Sequence, residues 1–407
     1  TIDKTMPIVE VNGTGVNGYY RSDVTVKIVE ANIQDAKVQK DNGKWETISL
    51  NEANEATFTE EGTYFIRVTD KAYNDKAEVT FIIDKTPPAI APTEDSISGT
   101  EGNYSRIGLT VSDKNGVASY EINNETLILT NGEIVYEKLK DYLNEGSNTV
   151  TASDNAGNTA TFTFNYDCTP AVRRSTNILK YGESNEQSEY YVKPGDKIYM
   201  NISFKEKLAH NPTFTLINNG KEYVMDQKLV TAREPNKDGN FDYTVIYEIP
   251  ENTEFVDGEI TLKVSNLVDA YGNKIADENE PTNGHKVFFD KILPTIKVHD
   301  NAVGNAPYFR DNIGFTVSDN YEIASCKLND AVIETNNGEI NFEAIKDMLK
   351  VDEEKNILVV TDKAGNSTIY DFWYDYKAPK ASFVQIIINY KLNTSYANSG
   401  DYVWVYV

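Results

Sequence analysis

The chain has 407 residues, with 63 acids against 39 bases and a net charge of −24. That sign works against nucleic acid and anionic membrane surfaces, which both need a positive field, and no apolar run approaches the ~20 residues that span a bilayer. At 40% hydrophobic residues the chain carries enough apolar surface for packed cores and too much for a disordered tail.

A short phrase punctuates the chain five times: Asp3 to Pro7, Asp84 to Pro88, Asp167 to Pro170, Asp290 to Pro294 and Asp375 to Pro379. The copies stand roughly 80 to 120 residues apart, a small-domain length and too long for a solenoid unit. This predicts domains at 1–84, 85–167, 168–290 and 291–375, with 376–407 opening a fifth that the sequence cuts short. On this reading the chain is a part of something longer.

Within the first domain, strands are predicted at Val24–Val29, 44–48, 64–68 and 79–83, where β-branched and aromatic residues alternate with polar ones. Strands at short spacing with Gly, Asn and Asp between them predict an antiparallel β-sandwich. The second and fourth domains align: 110–113 with 316–319, and 118–123 with 324–329. Both then show one helical spacing, Tyr136, Leu139 and Leu143 in one and Phe342, Ile345 and Leu349 in the other. Those apolar stripes predict two turns of helix packed between the sheets. The longer third domain holds an insert around 235–240 that predicts a hairpin loop. The fifth copy echoes the third, Tyr396 to Asp401 repeating Tyr191 to Asp196. The two cysteines, Cys168 and Cys326, fall too far apart in this layout to pair, so no disulfide framework is expected.

Before each final strand a second phrase recurs: Asp70 to Asn74, Asp154 to Asn158, Asp269 to Asn273 and Asp362 to Asn366. Asp can accept amides two residues on, while Gly and Asn tolerate φ > 0, so the phrase predicts a tight hairpin. The strand entering it should bury Ile66 and Val68, Val150 and Ala152, and Leu358 and Val360. A linker of Asp-x-Thr-x-Pro type paired with an Asp-x-Ala-Gly-Asn hairpin resembles the bacterial immunoglobulin-like repeats of large cell-surface adhesins. The likeness runs through all four domains, with Tyr73 standing where Gly is usual. It implies an all-β chain of tandem immunoglobulin-like antiparallel β-sandwiches, seven strands each, arranged as an extended, monomeric rod. It also implies a bacterial cell-surface or secreted setting and a non-enzymatic part in attachment, with a host glycan or surface protein as partner. Two alternatives stay open: a carbohydrate- or protein-binding third domain, and an accessory region of a large secreted glycoside hydrolase.

Under the immunoglobulin strand order three acids should meet at the head of each domain: the linker Asp, the acid after the second strand and the Asp that opens the last hairpin. These are Asp84, Asp113 and Asp154 at the second domain, and Asp290, Asp319 and Asp362 at the fourth. Glu takes the middle place in the others: Asp167, Glu206 and Asp269 at the third, and Asp3, Glu30 and Asp70 at the first. Three gathered carboxylates repel unless a cation intervenes, and calcium takes ~6–8 oxygens, so these acids are candidate calcium ligands at the junctions. As turn residues and solvated strand ends they need no ion, and that reading stands beside the first. Other signals carry less. Gly13 to Gly18 formally matches a dinucleotide fingerprint but precedes a strand-like run and no helix. His210, His285 and His299 are isolated, and most of the 26 tyrosines sit in strands, where packing accounts for them.

Overall fold

A computed structural model describes residues 2–127, 132–183, 186–282, 284–351, 354–378, 385–388, 391–392 and 402–406. In the first domain the strands are β1 (Ile8–Asn12), β2 (Gly15–Val16), β3 (Tyr19–Tyr20), β4 (Val24–Val29), β5 (Ile33–Lys40), β6 (Glu46–Thr47), β7 (Glu55–Phe58), β8 (Gly62–Asp70) and β9 (Asp75–Ile83). They form a three-stranded sheet, β1–β4–β7, and a six-stranded one, β2–β3–β9–β8–β5–β6. The chain starts in the first sheet and crosses through the β2–β3 hairpin to lie parallel to β9, Tyr19 opposite Ile82. That crossing ties both sheets into one immunoglobulin-like sandwich. The second and fourth domains repeat the same strand order.

Alternation explains the cores. β8 buries Gly62, Tyr64, Ile66, Val68 and Asp70 on one side along its length, which is what period-two patterning on a half-buried sheet demands. Val150, Ala152, Leu358 and Val360 are likewise fully buried. Four separate apolar clusters result, one per sandwich. The helical stripes behave as expected: Tyr136–Leu139 and Phe342–Ile345 are α-helical and continue as 3-10 turns. Leu139 and Ile345 are fully buried, while Tyr136, Leu143, Phe342 and Leu349 pack at the rim of the core.

Two expectations need correction. Each sandwich has nine strands among the described residues, not seven, because two- to four-residue edge pieces such as β2, β3 and β6 pair beside the main ones. The strand at 44–48 shrinks to Glu46–Thr47; Trp45 instead lies under the Arg67 guanidinium, 4.9 Å from ring centre to carbon. In the third domain the 235–240 insert does form a hairpin loop, with Asn236 Oδ1 accepting from the amides of Asp238 and Asn240. Much of the extra length, however, lies at 266–285, between the strands Gly258–Ser265 and Lys286–Phe289. The reading of 376–407 as a fifth domain lies largely outside the described residues. Cys168 and Cys326 are both free thiols.

Candidate functional site: the domain junctions

The last hairpin of each domain opens on an aspartate that turns back onto it; in the first, second and fourth domains that aspartate ends the long strand, and in the third Asp269 stands four residues beyond Ser265. Asp154 Oδ1 accepts from the amides of Ala156 (2.8 Å) and Asn158 (2.9 Å), and Oδ2 from the Asn158 carboxamide (2.8 Å). Asp70, Asp269 and Asp362 repeat the pattern with Asn74, Asn273 and Asn366. The residue before the Asn has positive φ in every copy, Gly157, Gly272 and Gly365 among them. Tyr73 takes the same conformation at φ 60°, so the first hairpin keeps its shape with its tyrosine ring exposed.

The Asn has a second role that turn chemistry did not reveal. Its carboxamide also donates to the backbone carbonyl of the linker aspartate: Asn158 to Asp84 at 2.8 Å, Asn273 to Asp167 at 3.0 Å, Asn366 to Asp290 at 3.2 Å and Asn74 to Asp3 at 3.3 Å. The amides of Asp84, Asp167 and Asp290, meanwhile, donate backwards, to Tyr20, Tyr104 and Val192 of the preceding domain. One residue is therefore stitched to the sandwich behind it through its N–H and to the sandwich ahead through its C=O. This explains why the two phrases recur together. The linker Asp also folds its own turn, Oδ1 accepting from the amide two residues on in all five copies.

The structure brings two of the predicted acid groups together. Asp84, Asp113 and Asp154 each present a carboxylate oxygen within 4.8 Å of the others, and so do Asp290, Asp319 and Asp362. These are linker, second strand and hairpin, as the strand order required. Asp84 and Asp154 are each 2% exposed, Asp290 is fully buried and Asp362 is 1% exposed. Asp84 Oδ2, Asp290 Oδ2 and Asp319 Oδ1 are buried and without a hydrogen-bond partner. A buried carboxylate oxygen left unpaired is costly. Its consequence shows in the protonation equilibria: burial, then the neighbouring carboxylates, push Asp84 upward. Burial does the same to Asp319. Asp290 rises to about 6, chiefly through burial, against the donated bonds of Ile292 and Asn320.

The other two predicted groups do not close. Burial raises Glu206, followed by the charges of Asp167, Asp269 and Glu145. Their oxygens form no such cluster among the described residues. At the first domain Glu30 Oε1 accepts from the Asn32 amide instead. In both cases Glu in the middle place adds a methylene.

Each junction carries a further contact of its own. Arg21 donates to the Gly157 carbonyl at 2.6 Å. Thr100 donates through both its amide (2.9 Å) and its hydroxyl (3.1 Å) to the Ala270 carbonyl. Tyr191 and Phe288 of the third domain stack on each other and receive Tyr321 of the fourth at ring separations of 5.2 and 5.4 Å. A groove of about 470 Å³ runs along the first junction, lined by Glu61, Asp84, Thr86, Asp113 and Asn115. Gly13 to Gly18 contain β2 and the turn into β3, and no helix follows. The described groups with metal-ligating spacing contain aspartates and no histidine.

No protein-family model matches the chain, and no curated protein matches it. Solved structures do. The N-terminal eight Ig domains of Down Syndrome Cell Adhesion Molecule align over 95% of this chain and 57% of that one, at 11% identity and a TM-score of 0.21. The chain thus spans little more than half of that structure. The I9–I11 tandem from titin aligns over 69% of this chain and 98% of its own, at 11% identity and 0.22. SGBP-B of the Bacteroides ovatus mixed-linkage glucan utilization locus, solved with a mixed-linkage heptasaccharide, covers 91% and 92%, at 11% and 0.17. Likeness at this level carries no argument about function.

Proposed function

We propose that the chain is a non-enzymatic stalk or adhesion segment of a bacterial cell-surface or secreted protein. Calcium held at its domain junctions stiffens a monomeric row of immunoglobulin-like sandwiches, which projects an attachment function towards a host glycan or surface protein. The observation that carries this reading is the pair of buried linker carboxylates, Asp84 and Asp290, each with an unpartnered oxygen and each with a carboxylate oxygen within 4.8 Å of those of two more aspartates.

The chemistry of the donor set fits a hard cation. Carboxylate oxygens suit calcium, which tolerates irregular geometry and completes its shell with water. Asp84, Asp113 and Asp154 would hold one ion, and Asp290, Asp319 and Asp362 another. An ion there offsets the mutual repulsion of three carboxylates. Because the linker Asp follows directly on the last strand of the preceding domain and donates its amide to that domain, while the other two belong to the following one, the ion ties two sandwiches together. Repetition supports a mechanical role as well: all three junctions use the same linker-to-hairpin stitch, a device for spacing domains rather than for handling a substrate.

The test is thermal unfolding and hydrodynamic radius of the 407-residue protein in calcium and in chelator. Saturation a hundredfold over Kd is worth about 2.7 kcal/mol. For domains of this size that raises Tm by roughly 10–20 °C. An unchanged melting curve together with an unchanged radius overturns the proposal.

A further inference from the structure

We infer that only two of the three junctions take a cation, and that the proline of the linker decides which. The middle junction, between the second and third domains, is closed by protein groups alone. This rests on the junction-cation reading above and extends it from the presence of ions to their number and position.

The junctions differ in how many carboxylate lone pairs the protein fills. A carboxylate offers about four acceptor positions. Asp269, at the middle junction, has all four filled: the amides of Tyr271 and Asn273 (both 2.9 Å), the Asn273 carboxamide (2.9 Å) and the amide of Ala171 (3.2 Å). Asp154 receives only the three donors of its own hairpin. Asp362 receives two, the amide and carboxamide of Asn366. The donor that separates these cases is Ala171, four places after its linker aspartate. The same place holds Pro88 in the linker before the second domain and Pro294 in the one before the fourth, and proline has no N–H to give. In the middle linker the proline stands one place earlier, as Pro170. That shift frees an amide, and the amide occupies the position a cation would need.

Two more observations point the same way. No unpartnered buried carboxylate oxygen occurs at Asp167, Glu206 or Asp269, whereas the first trio has one and the other trio two. The middle junction is also backed by direct main-chain packing: Thr100 holds the Ala270 carbonyl, and a Cβ on Gly99 would stand 2.5 Å from the Asp269 carbonyl oxygen. Removing divalent cations should therefore loosen the first and third joints and leave the second unchanged.

Calcium chloride titrated calorimetrically into the chelator-treated 407-residue protein tests the number. Two ions per chain are expected, one in Asp84→Asn or Asp290→Asn, and none in the double variant. Spin-label pairs across each junction, in a Cys168→Ser background, test the position. Distance distributions should broaden on chelation at the first and third junctions only. Ala171→Pro with Glu206→Asp should raise the count from two to three. Should that variant not fold, the Asp→Asn series still decides the number. Three or more ions in the unaltered chain, broadening at the middle junction, or a folded swap that stays at two would overturn this inference while leaving the cation reading standing. No bound ion at all would overturn both.

Discussion

The junctions ahead of the third and the fourth domains are built from the same parts and reach different ends. In both, a hairpin Asn reaches the carbonyl of a linker Asp, at 3.0 Å in one and 3.2 Å in the other. Ahead of the fourth domain the linker carboxylate is fully buried and one of its oxygens has no partner. Ahead of the third it is only half-buried, and the hairpin carboxylate is saturated by protein amides. The residue two places after the middle acid diverges as well. Tyr321 leaves its own domain to meet Tyr191 and Phe288, whereas Leu208 turns inward to its own core. A shared scaffold can thus hold a joint through protein hydrogen bonds or leave a charged gap, and two or three side chains choose between them.

The stitch common to both junctions should show the largest effect. Asn366→Ala removes donors from a buried carboxylate and releases the Asp290 carbonyl, and loss of such charged hydrogen bonds costs about 2–3 kcal/mol. Chemical denaturation of the fourth domain should register that loss. Asn273→Ala should cost the third domain about 1 kcal/mol less, because Ala171 still donates to Asp269. Equal losses would mean that the extra amide contributes nothing.

Much of this junction was legible in the sequence, and the reason is local. Asp154, Asp362 and their hairpins announce themselves because an aspartate two residues before an amide, with Gly beyond it, has few other solutions. Asp113 and Asp319 followed once strand order was assumed. The bridging role of Asn158 and Asn366 was hidden, because their acceptor carbonyls lie in another domain's strand and belong to no side-chain pattern. The failure of Glu206 to join its group was also hidden: an added methylene is trivial in composition and decisive over a few ångströms. The Ala171 amide was visible only as a proline one place out of register, a signal without meaning until the Asp269 carboxylate was seen beside it.

Acidity separates the two junctions next. In the absence of divalent cations the folded Asp290 carboxyl titrates near 6, above its unfolded value, so the native state binds the extra proton between about pH 4 and pH 6. Stability of the fourth domain should therefore be highest below this window and fall as pH rises through it. The fall is on the order of 2–3 kcal/mol and complete above pH 6. Asp290→Asn should flatten that dependence. Calcium should oppose it, since an ion stabilises the ionised form that burial disfavours. Melting curves from pH 4 to 7, with and without calcium, check the sign. A fourth domain that gains stability on deprotonation without calcium would contradict the burial of Asp290.

The smallest expected effect concerns the aromatic contact that the fourth domain has and the third lacks. Tyr321 lies 5.2 Å from the Tyr191 ring at an interplanar angle of 65°, and Lys363 stands 5.5 Å above the same Tyr191. Such pairs contribute about 0.5–1.5 kcal/mol beyond their area, and here the energy couples two domains rather than stabilising one. Tyr321→Ala, Tyr191→Ala and the double variant form a cycle whose coupling energy should be about 1 kcal/mol. It should persist in chelator, because neither ring ligates the ion. A coupling that disappears on chelation would instead make Tyr321 a dependent of the Asp319 turn, through the amide that Tyr321 donates to that carboxylate at 3.0 Å. The ring and the ion would then be one lock, and the contrast between the two junctions would reduce to the cation alone.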